Sequence, residues 1–178
     1  MKHLLFWVGW LSASGLMAQS ELSLCDRIDE EGQLKLRKAS YEELEALCSC
    51  ATLRSLELRK CQAAKLPPCF AEMEQLRHLD LSKAVLPTFP MVVCQMYGLE
   101  HLSLAHTSIA YLPEEVADLP QLRHLDLRAT EIESLPTGLG HLEVIDFRLR
   151  RISKRDQEEI RAQYPDISIF FSSPCHCN

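Results

Sequence analysis

Leucine returns at a fixed interval through the middle of this chain, and that interval limits what the chain can fold into. Leu53, Leu76, Leu99 and Leu122 are 23 residues apart, and each opens the phrase Leu-x-x-Leu-x-Leu. The phrases continue with Leu56 and Leu58, Leu79 and Leu81, Leu102 and Leu104, and Leu125 and Leu127. A fifth phrase, Leu142, Ile145 and Phe147, follows after a shorter gap of 20. The rest of the unit repeats as well. An apolar residue precedes proline at Leu66, Phe89, Leu112 and Leu135, and another lies four positions on, at Phe70, Val93, Val116 and Leu139. Alternation around Leu-x-Leu makes a short strand with its leucines on one face. A single unit cannot bury those leucines, whereas stacked units share one continuous core.

This grammar resembles the leucine-rich repeat family in its 23-residue form, over residues 53–152. The resemblance implies an α/β solenoid with a curved parallel sheet and a binding module rather than an enzyme. The family usually has Asn or Cys three residues after the last strand leucine, bonding the backbone of the turn. Here that column reads Cys61, Ala84, Thr107, Thr130 and Arg150. Cys and Thr can serve, Ala84 cannot, and Arg150 is expected to point outward. The ladder should weaken at the second repeat and end at the fifth.

Both ends of the array read as caps. Leu34-Lys-Leu36 lies 22 residues before Leu56-Glu-Leu58, and Ile167-Ser-Ile169 lies 22 after Ile145-Asp-Phe147. As terminal strands they bring the expected sheet to about seven short strands. Ser40 with Glu43, and Ser153 with Asp156, signal helix starts. Pro165 stops the second helix. The interior units should have shorter turns. The expected organisation is a leader over 1–18, an N-terminal cap over 19–52, repeats over 53–152, and a C-terminal cap with a Cys-His-Cys tail over 153–178.

The leader is read from Lys2, the apolar run Leu4–Met17 and the small residue Ala18, the pattern of a secretory signal peptide. The run is too short to span a bilayer, which takes about 20 residues. Cleavage after Ala18 removes Lys2, leaving 18 basic residues against 25 acidic ones, a net charge of −7. That balance disfavours nucleic acid, which needs a basic footprint, and anionic membrane surfaces. Secretion, to the extracellular space or a periplasm, is the expected destination, with no membrane insertion after cleavage.

All eight cysteines lie beyond the leader, and an even count in an exported chain suggests disulfides. Cys25 can reach Cys48 or Cys50, and Cys69 lies one repeat from both Cys48 and Cys94. Cys175 and Cys177 are different. Four strand steps of about 4.8 Å separate the last strand from Cys94, far beyond the roughly 4.4–6.8 Å that a disulfide spans between Cα atoms. These two are expected to be free, bonded to each other, part of a metal site with His176, or bonded to a second chain in a covalent dimer.

The alternation places His78, His101 and His124 in one exposed column of adjacent strands. Asp80, Ser103 and Asp126 occupy the next, with Glu57 before and Asp146 after. Arg59, Arg128 and Arg148 form a third column. No aromatic residue is expected on this face, which removes ring stacking on sugars or single strands. A polar, mixed-charge, curved surface suits a protein or peptide partner. The expected binding residues are Glu57, Arg59, His78, Asp80, His101, Ser103, His124, Asp126 and Arg128. The alternative is a metal site, formed either by His78, His101 and His124 or by Cys175, His176 and Cys177. No cofactor is expected. A hydrolase built on Ser103, His101 and Asp80 or Asp126 would lack an oxyanion hole and a water-excluding pocket on an open strand face.

Overall fold

The computed structural model describes residues 23–61 and 65–173. The expected leader and the Cys175-His176-Cys177 tail lie outside the described residues. Seven strands form one parallel sheet in chain order: β1 (Gln33–Arg37), β2 (Ser55–Arg59), β3 (His78–Asp80), β4 (His101–Ser103), β5 (His124–Asp126), β6 (Val144–Phe147) and β7 (Ser168–Phe171). This is a leucine-rich-repeat solenoid. The 23-residue spacing becomes register directly: Leu56 lies beside Leu79, Leu79 beside Leu102, and Leu102 beside Leu125. These leucines are at most 1% exposed and belong to one core that runs the length of the stack.

The return halves of the interior units are single 3-10 turns at Pro68–Glu72, Met91–Gln95, Glu114–Asp118 and Leu139–His141. The first three begin right after Pro67, Pro90 and Pro113. Each aims its apolar residue inward: Phe70, Val93, Val116 and Leu139 are fully buried. Among the described residues, longer helices occur only at the two caps. Helix α1 (Tyr41–Ala46) starts on a reciprocal Ser40–Glu43 capping box. Helix α2 (Lys154–Gln163) starts on Ser153, whose hydroxyl accepts the Asp156 N–H, and ends before Pro165.

Three expectations need correction at the C-terminal end. The last strand is shifted by two residues: Ile145 pairs with Ile169, not Ile167, and Phe147 with Phe171. The ten-residue α2 replaces a short turn and takes up two more residues of chain, so the facing of the strand is kept while its register slides. The same slide places Phe170 opposite Asp146 in an exposed column, 49% exposed, so the face does carry an aromatic ring. Arg150, expected to point outward, is half-buried, with one terminal nitrogen shut from solvent and unpaired. It lines a cleft with Ile132, Leu135, Phe147 and Ile152 where α2 departs from the coil of the preceding units.

The turn ladder follows its residues. Thr107 donates to the Leu104 carbonyl at 2.7 Å and Thr130 to the Leu127 carbonyl at 2.8 Å, both buried. Cys61 accepts from the Ala39 N–H at 3.2 Å. Ala84 is buried and has no side-chain polar atom to contribute. One column was invisible in the sequence. Lys38, Lys60, Lys83, His106, Ala129 and Leu149 all adopt φ between 51° and 64°. Each sits two residues past the last inward strand residue, where the chain turns its corner, and none is glycine.

Two disulfides close the N-terminal end, Cys25–Cys50 and Cys48–Cys69, which decides among the pairings that spacing had left open. The second ties the segment after α1 to the first interior turn. Cys61 and Cys94 are buried and unbonded among the described residues.

Candidate functional site: the open sheet face

The parallel register stacks the outward residues into columns. One runs Ser55, His78, His101, His124, Val144 and Ser168, and its neighbour runs Glu57, Asp80, Ser103, Asp126, Asp146 and Phe170. Strands are about 4.8 Å apart, yet the imidazoles close to 4.2 Å between centroids, with ring planes 14° and 5° from parallel. The rings lie flat on one another as a three-membered stack. His78 is exposed, while His101 and His124 are half-buried.

Stacking has an electrostatic consequence. Burial, then the charges of His78 and His124, push the His101 pKa below its ordinary value, against an opposite pull from Glu100 and Glu143. A proton on the middle ring would be held close to two rings of the same kind. The Nδ1 of His124 is shut from solvent, and no hydrogen-bond partner reaches it.

The neighbouring column is saturated. Glu57 is held by Lys35 at 3.3 Å and by Arg59. Asp80 accepts from the Ser82 N–H at 2.7 Å and from its hydroxyl, and lies 3.9 Å from Arg59. Arg128 grips Asp126 with two nitrogens, at 2.9 and 2.7 Å, and reaches across to Asp146 at 3.6 Å. Arg148 holds Asp146 at 2.6 Å. Burial raises the Asp146 pKa, but hydrogen bonds and charge from Arg148 and Arg128 outweigh it and keep the carboxyl below its usual value. Ser103 donates to Asp126 at 3.2 Å. With Ser82 it forms a low floor between Arg59 and Arg128, and the three histidines border the same hollow.

All nine residues expected to bind are therefore on one face, and His78, Asp80, His101, Ser103, His124, Asp126, Arg59 and Arg128 share its central hollow. Glu57 lies just outside, held in its ion pairs. Sequence reasoning missed Phe170, whose ring lies 5.8 Å from the Arg148 guanidinium. It also missed the cross-strand reach of Arg128, which depends on a side-chain rotamer and leaves no trace in spacing. The stack does not fit a metal centre. Imidazole lone pairs lie in the ring plane, so three parallel rings aim side by side and converge on no common point.

No protein-family model and no curated protein matches the chain. Among solved structures it is similar to internalin C2 of Listeria monocytogenes, with a TM-score of 0.59 and 19% identity over 79% of this chain and 63% of that one. An internalin (inlF) of the same organism also matches, with a TM-score of 0.47 and 16% identity over 72% and 44%. The chain spans less than two thirds of the length of either. The first likeness is one of fold, that of the leucine-rich repeat.

Proposed function

We propose that this is an exported binding protein that holds another protein or a peptide on its open sheet face, and not an enzyme. The observation that carries the reading is the composition of that face. Adjacent strands present mostly polar columns, broken by Val144 and Phe170 near the C-terminal end, with a hollow floored by Ser82 and Ser103 and rimmed by histidine, aspartate and arginine. Curved faces of this architecture are extended binding surfaces. Ser103, the hydroxyl beside His101, is engaged with Asp126 rather than with that ring, and Ser82 is engaged with Asp80, which weighs against hydrolysis. The two disulfides suit an oxidising compartment, as the apolar leader does. No helix among the described residues is long and apolar enough to cross a membrane.

The test is capture of partners from the protein's native exterior. Wild type is compared with a His101→Ala, Arg128→Ala variant and with Lys83→Ala, which changes a corner residue off the sheet face. Partners lost with the face variant and kept with Lys83→Ala support the reading. Capture indifferent to the face variant, with its fold intact, would sink it.

A further inference from the structure

Among the described residues the imidazole column is bordered on both sides by groups whose charges are already paired, and no hydrogen-bond partner reaches the His124 Nδ1. On one side of it, Glu57, Asp80, Asp126 and Asp146 are each held by arginine. On the other side, Arg77 lies 3.3 Å from Glu100, and Arg123 lies 3.9 Å from Glu143. The stack thus runs between two strips of charge already neutralised within the chain. A partner that comes down on this face meets paired carboxylates, paired guanidinium groups and three imidazoles.

We propose that the His78–His101–His124 column receives the carboxylates of an acidic peptide segment. This deepens the reading of the face as a protein-binding surface and rests on it. A cationic segment would have to displace Lys35 or an arginine from a carboxylate before gaining one. A carboxylate displaces nothing: it accepts from imidazole N–H groups, with Arg59 and Arg128 at the rim of the same hollow. Its charge also opposes the burial and ring–ring repulsion that push the His101 pKa down. An anion within about 4–6 Å favours the protonated ring and offsets both burial and the repulsion between neighbours. His78 and His124 are two strand steps apart, so protons taken up on these two rings would repel less than protons on adjacent rings.

Binding of this kind takes up protons, and it must tighten as pH falls. The groups that face the stack and share in the response are Arg77, Glu100, Arg123, Glu143, Asp80 and Asp126. All six sit in ion pairs or hydrogen bonds.

The test uses the oxidised protein and three probes: hexaglutamate, hexalysine and a neutral Gly-Ser hexapeptide. Imidazole proton resonances are followed at low ionic strength, and His101 is assigned with His101→Gln. Hexaglutamate is expected to raise the titration midpoints of His78 and His124, and to bind about ten-fold tighter at about pH 5.5 than at about pH 7.5. The His78→Gln, His124→Gln variant, with unchanged thermal unfolding, is expected to lose that pH dependence. Equal hexaglutamate affinity at both pH values, or a pH dependence kept in the variant, overturns the inference. If hexalysine or the neutral peptide moves the face resonances and hexaglutamate does not, the face remains a peptide-binding surface and only the acidic partner is rejected. Hexaglutamate binding that leaves every sheet-face resonance in place rejects both.

Discussion

The rings of His101 and His124 lie 4.2 Å apart and within 5° of parallel. Burial first, then the charges of His78 and His124 in this stack, make the folded state a poorer proton acceptor at His101 than the unfolded chain, where the ordinary histidine value of about 6.5 applies. The folded pKa is lowered, so below about pH 6.5 the unfolded state binds more protons and stability falls with acidification. Asp146 contributes in a lower window, because its folded pKa lies below the usual carboxylate value. Urea midpoints measured between about pH 7.5 and 5.5 should therefore fall, and His101→Gln should flatten the fall. A midpoint that rises on acidification would contradict the stacked geometry.

The leucine columns, not the outer face, should hold the coil together. Leu102 is 1% exposed in the central strand, and Leu102→Ala should cost about 2–5 kcal/mol. Its neighbour Ser103 is half-buried with one side-chain hydrogen bond. Ser103→Ala should cost about 0.5 kcal/mol or less. Denaturant melts of the two variants decide, and equal losses would mean the register is wrong.

The buried threonines act through one oxygen each. Thr130→Val keeps the shape but removes the hydroxyl donor, leaving the Leu127 carbonyl with the longer Thr130 N–H bond of 3.3 Å, at a cost of about 0.5–1.5 kcal/mol. Thr107→Val should behave alike at Leu104. Thermal unfolding of both, compared with wild type, would expose any turn that does not need its ladder bond.

Ala129 is held at φ 51°. Left-handed backbone costs an L-residue roughly 1–2 kcal/mol, which glycine avoids at some expense in unfolded-chain entropy. Ala129→Gly should raise stability by up to about 1 kcal/mol, and Ala129→Val should lower it. Loss of stability in the glycine variant would mean that the corner is not strained.

Cys94 should be inert while folded. Burial first, then Glu115 and Asp118, push its thiol up to about 11, and the thiolate is the reactive form. Iodoacetamide near pH 8 should leave it unmodified in native protein and label it promptly in denaturant without reductant. Mass spectrometry of the alkylated peptide reads the result.

The histidine column was legible because 23-residue spacing and strand alternation are both periodic, and period fixes which residues become neighbours. His78, His101 and His124 could be stacked on paper before any coordinate was known. The corner residues were not legible, because six left-handed positions filled by Lys, His, Ala and Leu carry none of the glycine signal that marks such backbone. The C-terminal register escaped for another reason. Ile167 and Ile169 both fit an inward slot, and only the length of α2 chooses between them. Arg150 occupies a ladder position but carries a long cationic chain, and its direction was set by the cleft that α2 leaves open. The disulfide map needed distances that spacing alone could not rank.

Both disulfides lie within the first two turns of the coil. A stack in which each unit touches only its neighbours opens from its ends rather than everywhere at once. One end is riveted. At the other, α2 and β7 are held by packing and hydrogen bonds alone among the described residues. The molecule therefore has a preferred direction of unravelling, concealed by a near-periodic sequence. Amide hydrogen exchange should quicken towards β7, and a pull on both termini should peel the last coil away while the first stays wound.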